Sequence, residues 1–263
     1  MDEFPKGLSN SGAKEIADRL KIISGGKVLD VGTEKGGFIS TLIQTLKDYE
    51  SFVGIDISFK ELESIRKEFS EDPVEFFEMN AEKMDFKDKS FDTVSIAHSI
   101  HHFANIDKVF KEIKRVLKAN GYLLIQEPFY DGTQTEAQHS DILQHHWSSR
   151  IDTLLGIPHN TTFSKEELKA IVKNLGLKKL QIVESTHYVK CLFCEEKFEC
   201  DDPKNKKIIE FTIKEIDQDI ERLLKLKGHP DFHKLKEEGE KFKKKVKRTG
   251  SAPASHLFFI GKI

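Results

Sequence analysis

One stretch limits what this chain can fold into: Lys27-Val28-Leu29-Asp30-Val31-Gly32-Thr33-Glu34-Lys35-Gly36-Gly37-Phe38. Val28, Leu29 and Val31 read as the end of a buried parallel strand, whereas Phe38, Leu42, Ile43 and Leu46 repeat at helical spacing. The turn between them holds glycines at 32, 36 and 37. A strand, a glycine turn and a helix place backbone N–H groups and a positive helix end beside any ligand at the strand's carboxyl end. Twenty residues after Gly36, a second strand Ser51–Ile55 closes on Asp56, whose carboxylate can accept both hydroxyls of a ribose. The unit reads as a nucleoside-binding βαβ module, and its glycines alone would equally suit a dinucleotide enzyme.

The chain continues in the same rhythm. Ser11 is placed to cap a helix through Ile16, Leu20 and Ile23, which Gly25-Gly26 ends. Ser58 and Glu61 form a capping box for a helix with Leu62, Ile65 and Phe69 on its apolar stripe. Val74–Met79 alternates as a third strand and Phe91–Ala97 is a fourth, delivering His98 to Phe103 at its end. A helix with Val109, Ile113, Val116 and Leu117 on one face leads to an Asn120-Gly121 turn and a fifth strand, Tyr122–Ile125. Gln138–Asp152, rich in Gln, His and Trp, breaks the pattern and reads as a helix across the mouth of the site. Ser164 and Glu167 cap a helix stopped by Gly176, and Leu180–Glu184 is strand six. Ile209, Ile213, Ile216, Ile220 and Leu223 form one apolar seam, against the core or a second subunit. Ser255–Gly261 is the last strand, expected beside strand six.

Four stretches together resemble the class I S-adenosylmethionine-dependent methyltransferases, in the branch of the ubiquinone/menaquinone-type small-molecule enzymes. They are Val28–Gly36, Gly54–Ser58, Asn80-Ala81-Glu82, and the run from Ser90 through His101-His102-Phe103 to Gly121. The likeness covers roughly residues 10–130, and more loosely 163–190. It implies an α/β, Rossmann-like, doubly wound seven-stranded mixed sheet with helical lid insertions, its last strand antiparallel. One methyltransferase domain then spans 1–263, with its core at about 10–130, 163–190 and 251–263 and helical inserts at about 131–162 and 191–250.

The resemblance implies S-adenosylmethionine as cofactor, held by Asp30, Gly32, Thr33, Gly36, Asp56, Ile57, Asn80, Ala81 and His98. Asn80 would offer its amide oxygen to the adenine amino group. The family's turn usually has a glycine where Glu34 stands, so the turn lacks ready access to positive φ there. His101, His145 and Glu127 are the candidate catalytic residues, since an imidazole titrates near neutral pH and strand five ends at Glu127. Tyr130 and Trp147 are further pocket candidates, Trp147 equally a core anchor. His139, Asp141, His145 and His146, with His101 and Glu127, have the chemistry of mixed N/O metal ligands, yet no metal site is assigned from sequence. Cys191, Cys194 and Cys200, with His187, are too few and too clustered for either a disulfide framework or a clear zinc motif.

The activity implied is in-line methyl transfer to a small molecule. The alternatives are a metal-assisted version on a hydroxyl or thiol, and a catalytically inactive cofactor-binding sensor or partner subunit. A net charge of −2 supplies no basic field for nucleic acid, and no Asn-Pro-Pro-aromatic tetrapeptide follows strand four. No apolar run approaches membrane-span length and Met1–Pro5 carries no signal pattern, so the expectation is a cytoplasmic protein without membrane contact, with homodimerisation through the seam as one option.

Overall fold

The computed structural model describes residues 12–59, 62–185 and 202–263. Cysteines 191, 194 and 200, His187, and the capping residues Ser11 and Glu61 lie outside these. The described residues form two compact units. The first comprises 12–127, 166–185 and 256–263; the second comprises 128–165 and 202–255.

The first unit is built on a seven-stranded sheet in the order β3-β2-β1-β4-β5-β7-β6. Its strands are β1 (Lys27–Val31), β2 (Ser51–Asp56), β3 (Val74–Glu78), β4 (Phe91–Ala97), β5 (Leu117–Pro128), β6 (Lys178–Ser185) and β7 (His256–Lys262). Strands β1 to β5 pair in parallel, and β7 runs antiparallel to β6. Central strands covered on both faces need continuous apolar sequence, and β1 is buried from Val28 to Val31. At the edge, only the middle residue of β3 is buried. Helix α1 (Ala13–Leu20) precedes β1, and α2 (Gly37–Thr45), α3 (Leu62–Glu68), α4 (Ile106–Val116) and α6 (Lys165–Lys173) lie between successive strands. Helix α4 starts where the Asn105 side chain accepts the Lys108 N–H at 3.0 Å. Ile16, Leu20, Ile39, Leu42, Phe52, Phe76 and Phe258 sit in one core cluster. Each such side chain taken out of water contributes about 1.5–3 kcal/mol.

Asn120 and Gly121 were expected to turn; they lie inside β5 instead. Asn120 takes φ 64°, and the β4–β5 register shifts nearby. The strand survives because Asn120 N–H donates to the Ile263 carbonyl and Ile263 N–H to that of Gly121. The last strand, expected beside β6, does pair with it, and is flanked on its other side by β5.

The second unit is helical: α5 (Glu136–Leu154), α7 (Lys206–Leu223) and α8 (Phe232–Thr249). A capping box starts α5, with Thr135 Oγ1 accepting the Gln138 N–H and Gln138 Oε1 accepting the Thr135 N–H. The seam on α7 packs within this unit, with Ile216 and Leu223 buried among Trp147, Ile151, Phe232, Leu235 and Val246. Trp147 is fully buried and its indole N–H donates to the Leu235 carbonyl at 2.9 Å, the core-anchor reading of that residue. No helix among the described residues is long and apolar enough to cross a membrane.

Candidate active site

Parallel strands in register bring their carboxyl ends to one edge of a sheet, where ligands of such folds bind. In the first unit that edge is set by the pairs Val31↔Ile55, Val31↔Ile96, Asp56↔Glu78 and Ala97↔Gln126. Gly32, Asp56, Asn80, His98 and Glu127 therefore all stand at or just past strand ends on the same side.

The turn after β1 is held by its neighbours. The N–H groups of Gly32 and Thr33 both donate to the Ile55 carbonyl, at 2.9 and 3.0 Å. Gly36 N–H donates to the Thr33 carbonyl at 2.7 Å, and Gly36, at φ 76°, is the residue before α2. A Cβ at Gly36 would lie 2.7 Å from the Phe69 ring, so both conformation and space demand glycine. Glu34 adopts φ 45° without being a glycine, and its side chain is exposed. The left-handed turn thus forms despite the substitution, at a cost of about 1 kcal/mol.

Asp56 explains how. Its Oδ2 accepts the Glu34 N–H at 3.0 Å, and its Oδ1 accepts the Ser58 N–H at 3.4 Å. A carboxylate has about four acceptor positions. Two backbone bonds fix its orientation and leave capacity for two hydroxyls. Ile57, next in sequence, is 74% exposed, an apolar surface beside that carboxylate. The turn and the half-buried Asp56 carboxylate fit a nucleoside cofactor by their donor and acceptor chemistry.

Asp30 is buried, and Ser95 Oγ donates to its Oδ1 at 2.6 Å. Burial pushes its carboxyl up to about 6, against the hydrogen bond from Ser95 that favours the charged form. Asn80 is exposed and its amide oxygen accepts the Glu82 N–H at 2.8 Å. One of that oxygen's two lone pairs is thereby committed to the turn that also contains Ala81.

After β4, His98 takes φ 53° and its N–H donates to the Gln126 carbonyl at 2.8 Å. Its ring stacks on His256 with centroids 4.5 Å apart. Burial holds His98 well below the usual imidazole range and His256 down to about 3. Both rings are neutral at physiological pH. A 3₁₀ turn, Ile100–His102, follows. It buries His101, whose Nδ1 is hydrogen-bonded to Glu127 Oε1, while Glu127 Oε2 accepts the Ile100 N–H at 3.3 Å. His101 and Glu127, expected from sequence as separate candidates, are thus one pair.

The second unit holds the other candidates. His145 Nε2 faces His159 Nε2 at 3.2 Å, and His159 Nδ1 lies 2.7 Å from Asp152 Oδ2. Asp152 also forms an ion pair with Arg222, whose Nη1 donates to Asp219 at 2.6 Å. His146 Nε2 is 2.8 Å from Thr162 Oγ1, and its ring meets Tyr130 edge-on. His139 is exposed, and Asp141 accepts the Ala254 N–H at 3.2 Å. His159, Asp152, Ser95 and His256 were not anticipated. His159 lies past the end of α5, and His256 and Ser95 read only as strand residues; no spacing rule marks any of them.

Residues 29–125 match a family model described as a methyltransferase domain. The chain is 30% identical over 125 residues to a demethylmenaquinone methyltransferase of Bacteroides fragilis, a match covering 46% of this chain and 51% of that protein. It is 31% identical over 121 residues to a fatty-acid O-methyltransferase of Mycolicibacterium smegmatis, covering 45% and 44%. The chain therefore spans about half the length of these curated relatives. Haemonchus contortus phosphoethanolamine N-methyltransferase 2, solved with phosphomonomethylethanolamine and S-adenosylhomocysteine, shares the fold: TM-score 0.52 at 19% identity, over 95% of this chain and 52% of that one. The glycine turn, the acidic end of β2 and the seven-stranded order all fall where that match lies or on that fold. Residues 29–125 thus carry a methyltransferase domain, on a fold shared with solved methyltransferases.

Proposed function

We propose that the protein transfers a methyl group from S-adenosylmethionine to a small-molecule acceptor by in-line displacement. The observation that carries this reading is Asp56, fixed by two backbone N–H groups at the end of β2 with acceptor capacity to spare. S-adenosylmethionine brings a methyl group on a positively charged sulfur, already activated for transfer to a nucleophile. The protein's work is to bind, orient and exclude water. Asp56 holds the ribose hydroxyls, the Gly32–Gly36 turn with Thr33 lies along the methionine portion, and Asp30 supplies negative charge behind it. Ile57, Asn80 and Ala81 face the adenine, and His98 closes the site beside β4.

An acceptor that carries a proton must lose it as the new bond to carbon forms. We assign that proton to His101 Nε2, and the contact of its Nδ1 with Glu127, which fixes the ring, supports the assignment. His145 is a second imidazole of the same chemistry; it stands in the second unit against His159. The acceptors named for the relatives, a demethylmenaquinone and a fatty acid, make apolar molecules with an ionisable or enolic position the first to try. We read the protein as without a nucleic-acid partner, on its net charge of −2.

Calorimetric titration with S-adenosylmethionine, on the wild type and Asp56→Ala, tests the reading. Wild-type binding should weaken about 10–100-fold in the variant, the loss of charge-assisted hydrogen bonds worth about 1.5–3 kcal/mol. A wild type that does not bind the cofactor overturns it. With binding established, His101→Gln should lower kcat on any proton-bearing acceptor and leave cofactor affinity unchanged.

A further inference from the structure

In the second unit, the pair His145 and His159 has a geometry that suits shared ligation of one ion as well as a hydrogen bond. Both imidazoles present the same outer atom, Nε2, and the two atoms are 3.2 Å apart. His159 Nδ1 sits 2.7 Å from the Asp152 carboxylate, so that nitrogen carries a proton, and in the neutral form of the ring Nε2 carries a lone pair. A carboxylate behind an imidazole is the arrangement that orients metal-ligating histidines and raises their basicity. Two nitrogens bound at ~2.0–2.1 Å to one tetrahedral ion would stand about 3.3 Å apart. The observed separation is close to that.

The surroundings favour a cation as well. Asp152 and Asp219 flank the single guanidinium of Arg222, so two carboxylates against one cation leave a net negative charge beside the imidazoles. A cavity of about 380 Å³ adjoins His159, with Thr153, Asn160 and Asp231 and the cationic Arg150 and Lys234 also in its wall. His145 comes from α5, His159 from the segment that follows it, and Asp152 from the last full turn of that helix. A helix and its own exit loop thus fix ligand and support together.

We propose that His145 and His159 bind one divalent transition-metal ion of the imidazole-preferring class, such as Zn²⁺ or Co²⁺, with Asp152 as the residue that positions His159. The inference does not depend on methyl transfer, because its readout is ion binding. The full chain, stripped with a chelator and dialysed, is titrated with Co²⁺ and followed by its visible absorption band, then with Zn²⁺ by calorimetry. One ion per chain is expected. Asp152→Asn should weaken binding about 10–100-fold, and His145→Gln or His159→Gln should weaken it further. His139→Ala, at an exposed histidine of the same helix, should leave affinity unchanged. A wild type that binds no Co²⁺ above background overturns the proposal, leaving a His145 N–H to His159 hydrogen bond only. So does a His145→Gln/His159→Gln double variant that binds as tightly as the wild type. Because wild-type binding is itself a required result, a variant that fails to fold does not shield the idea.

Discussion

Two carboxylate–imidazole pairs stand in the two units, and they are balanced differently. In the first unit Glu127 is completely buried against His101, 2% exposed, and its other oxygen meets a single backbone N–H. In the second, Asp152 lies between His159 and Arg222, and Arg222 in turn meets Asp219. The same two side-chain types therefore have unequal dependence on one another. Glu127 relies on His101 as its charged-group partner among the contacts described, whereas Asp152 keeps a guanidinium if its histidine is lost. The first pair serves to fix one ring, and the second, which shares its carboxylate with a guanidinium, tolerates a change in what its ring binds.

The sharpest way to break the comparison is to delete each imidazole. His101→Ala should cost about 3–5 kcal/mol, the penalty of stranding a buried carboxylate, and His159→Ala about 1 kcal/mol, because Arg222 remains. Urea unfolding of both variants measures the two losses. Equal losses would mean that the guanidinium of Arg222 does not buffer the second pair.

The next effect sharpens it through pH. His256, buried in the first unit, has its folded pKa depressed to about 3. A depressed imidazole contributes stability that is present above its unfolded pKa near 6.5 and is lost as pH falls toward 3. His256→Phe should remove that acid-side loss, on the order of 3 kcal/mol at the bottom of the window, as read from unfolding midpoints between pH 7 and 3. The second unit leans the other way. Burial, with Glu215 nearby, raises Asp141 to about 7. A raised carboxyl contributes stability that is full below about 4 and is lost as pH rises through 7. Asp141→Asn keeps the acceptor for Ala254 and should stabilise the protein at pH 8, on the order of 2 kcal/mol after allowance for partial exposure, with no gain at pH 4. The smallest effect tests the turn after β1. Glu34→Gly removes a left-handed penalty of about 1 kcal/mol but frees the unfolded chain, so thermal unfolding should show a gain of about 0.5 kcal/mol or less.

How far sequence reaches follows the same division. In the first unit, β1, its glycine turn, α2 and Asp56 are legible because local rules fix them: apolar run, glycine spacing, acidic strand end. Asp30, Asp56 and Asn80 all stand at the strand-end edge expected of them. Asn120-Gly121 misleads because a long-range partner, Ile263, ties the pair into the sheet even though Asn120 keeps the left-handed φ of a turn residue. The joining of His101 to Glu127 needs β4 and β5 side by side, which periodicity in either strand does not state. In the second unit the α7 seam is legible as apolar spacing, but its partners Trp147 and Leu235 come from distant segments. His159 is invisible for a simpler reason. It lies outside any periodic element, and only the closing of the loop after α5 brings it to His145 and Asp152.

The strand order carries a consequence for how the molecule comes to exist. β7 lies between β5 and β6, yet it is the last strand in the chain and follows the whole of α7 and α8. On a ribosome, β1 to β5 can assemble as a parallel half-sheet while β6 waits without its neighbour. The second unit must then be synthesised before the sheet can be finished. Its helices are made during the interval in which the edge of β5 stands open, and the final insertion of β7 joins β6 to the rest. The order of synthesis thus sets completion of the first unit's sheet after the helices of the second unit have been made.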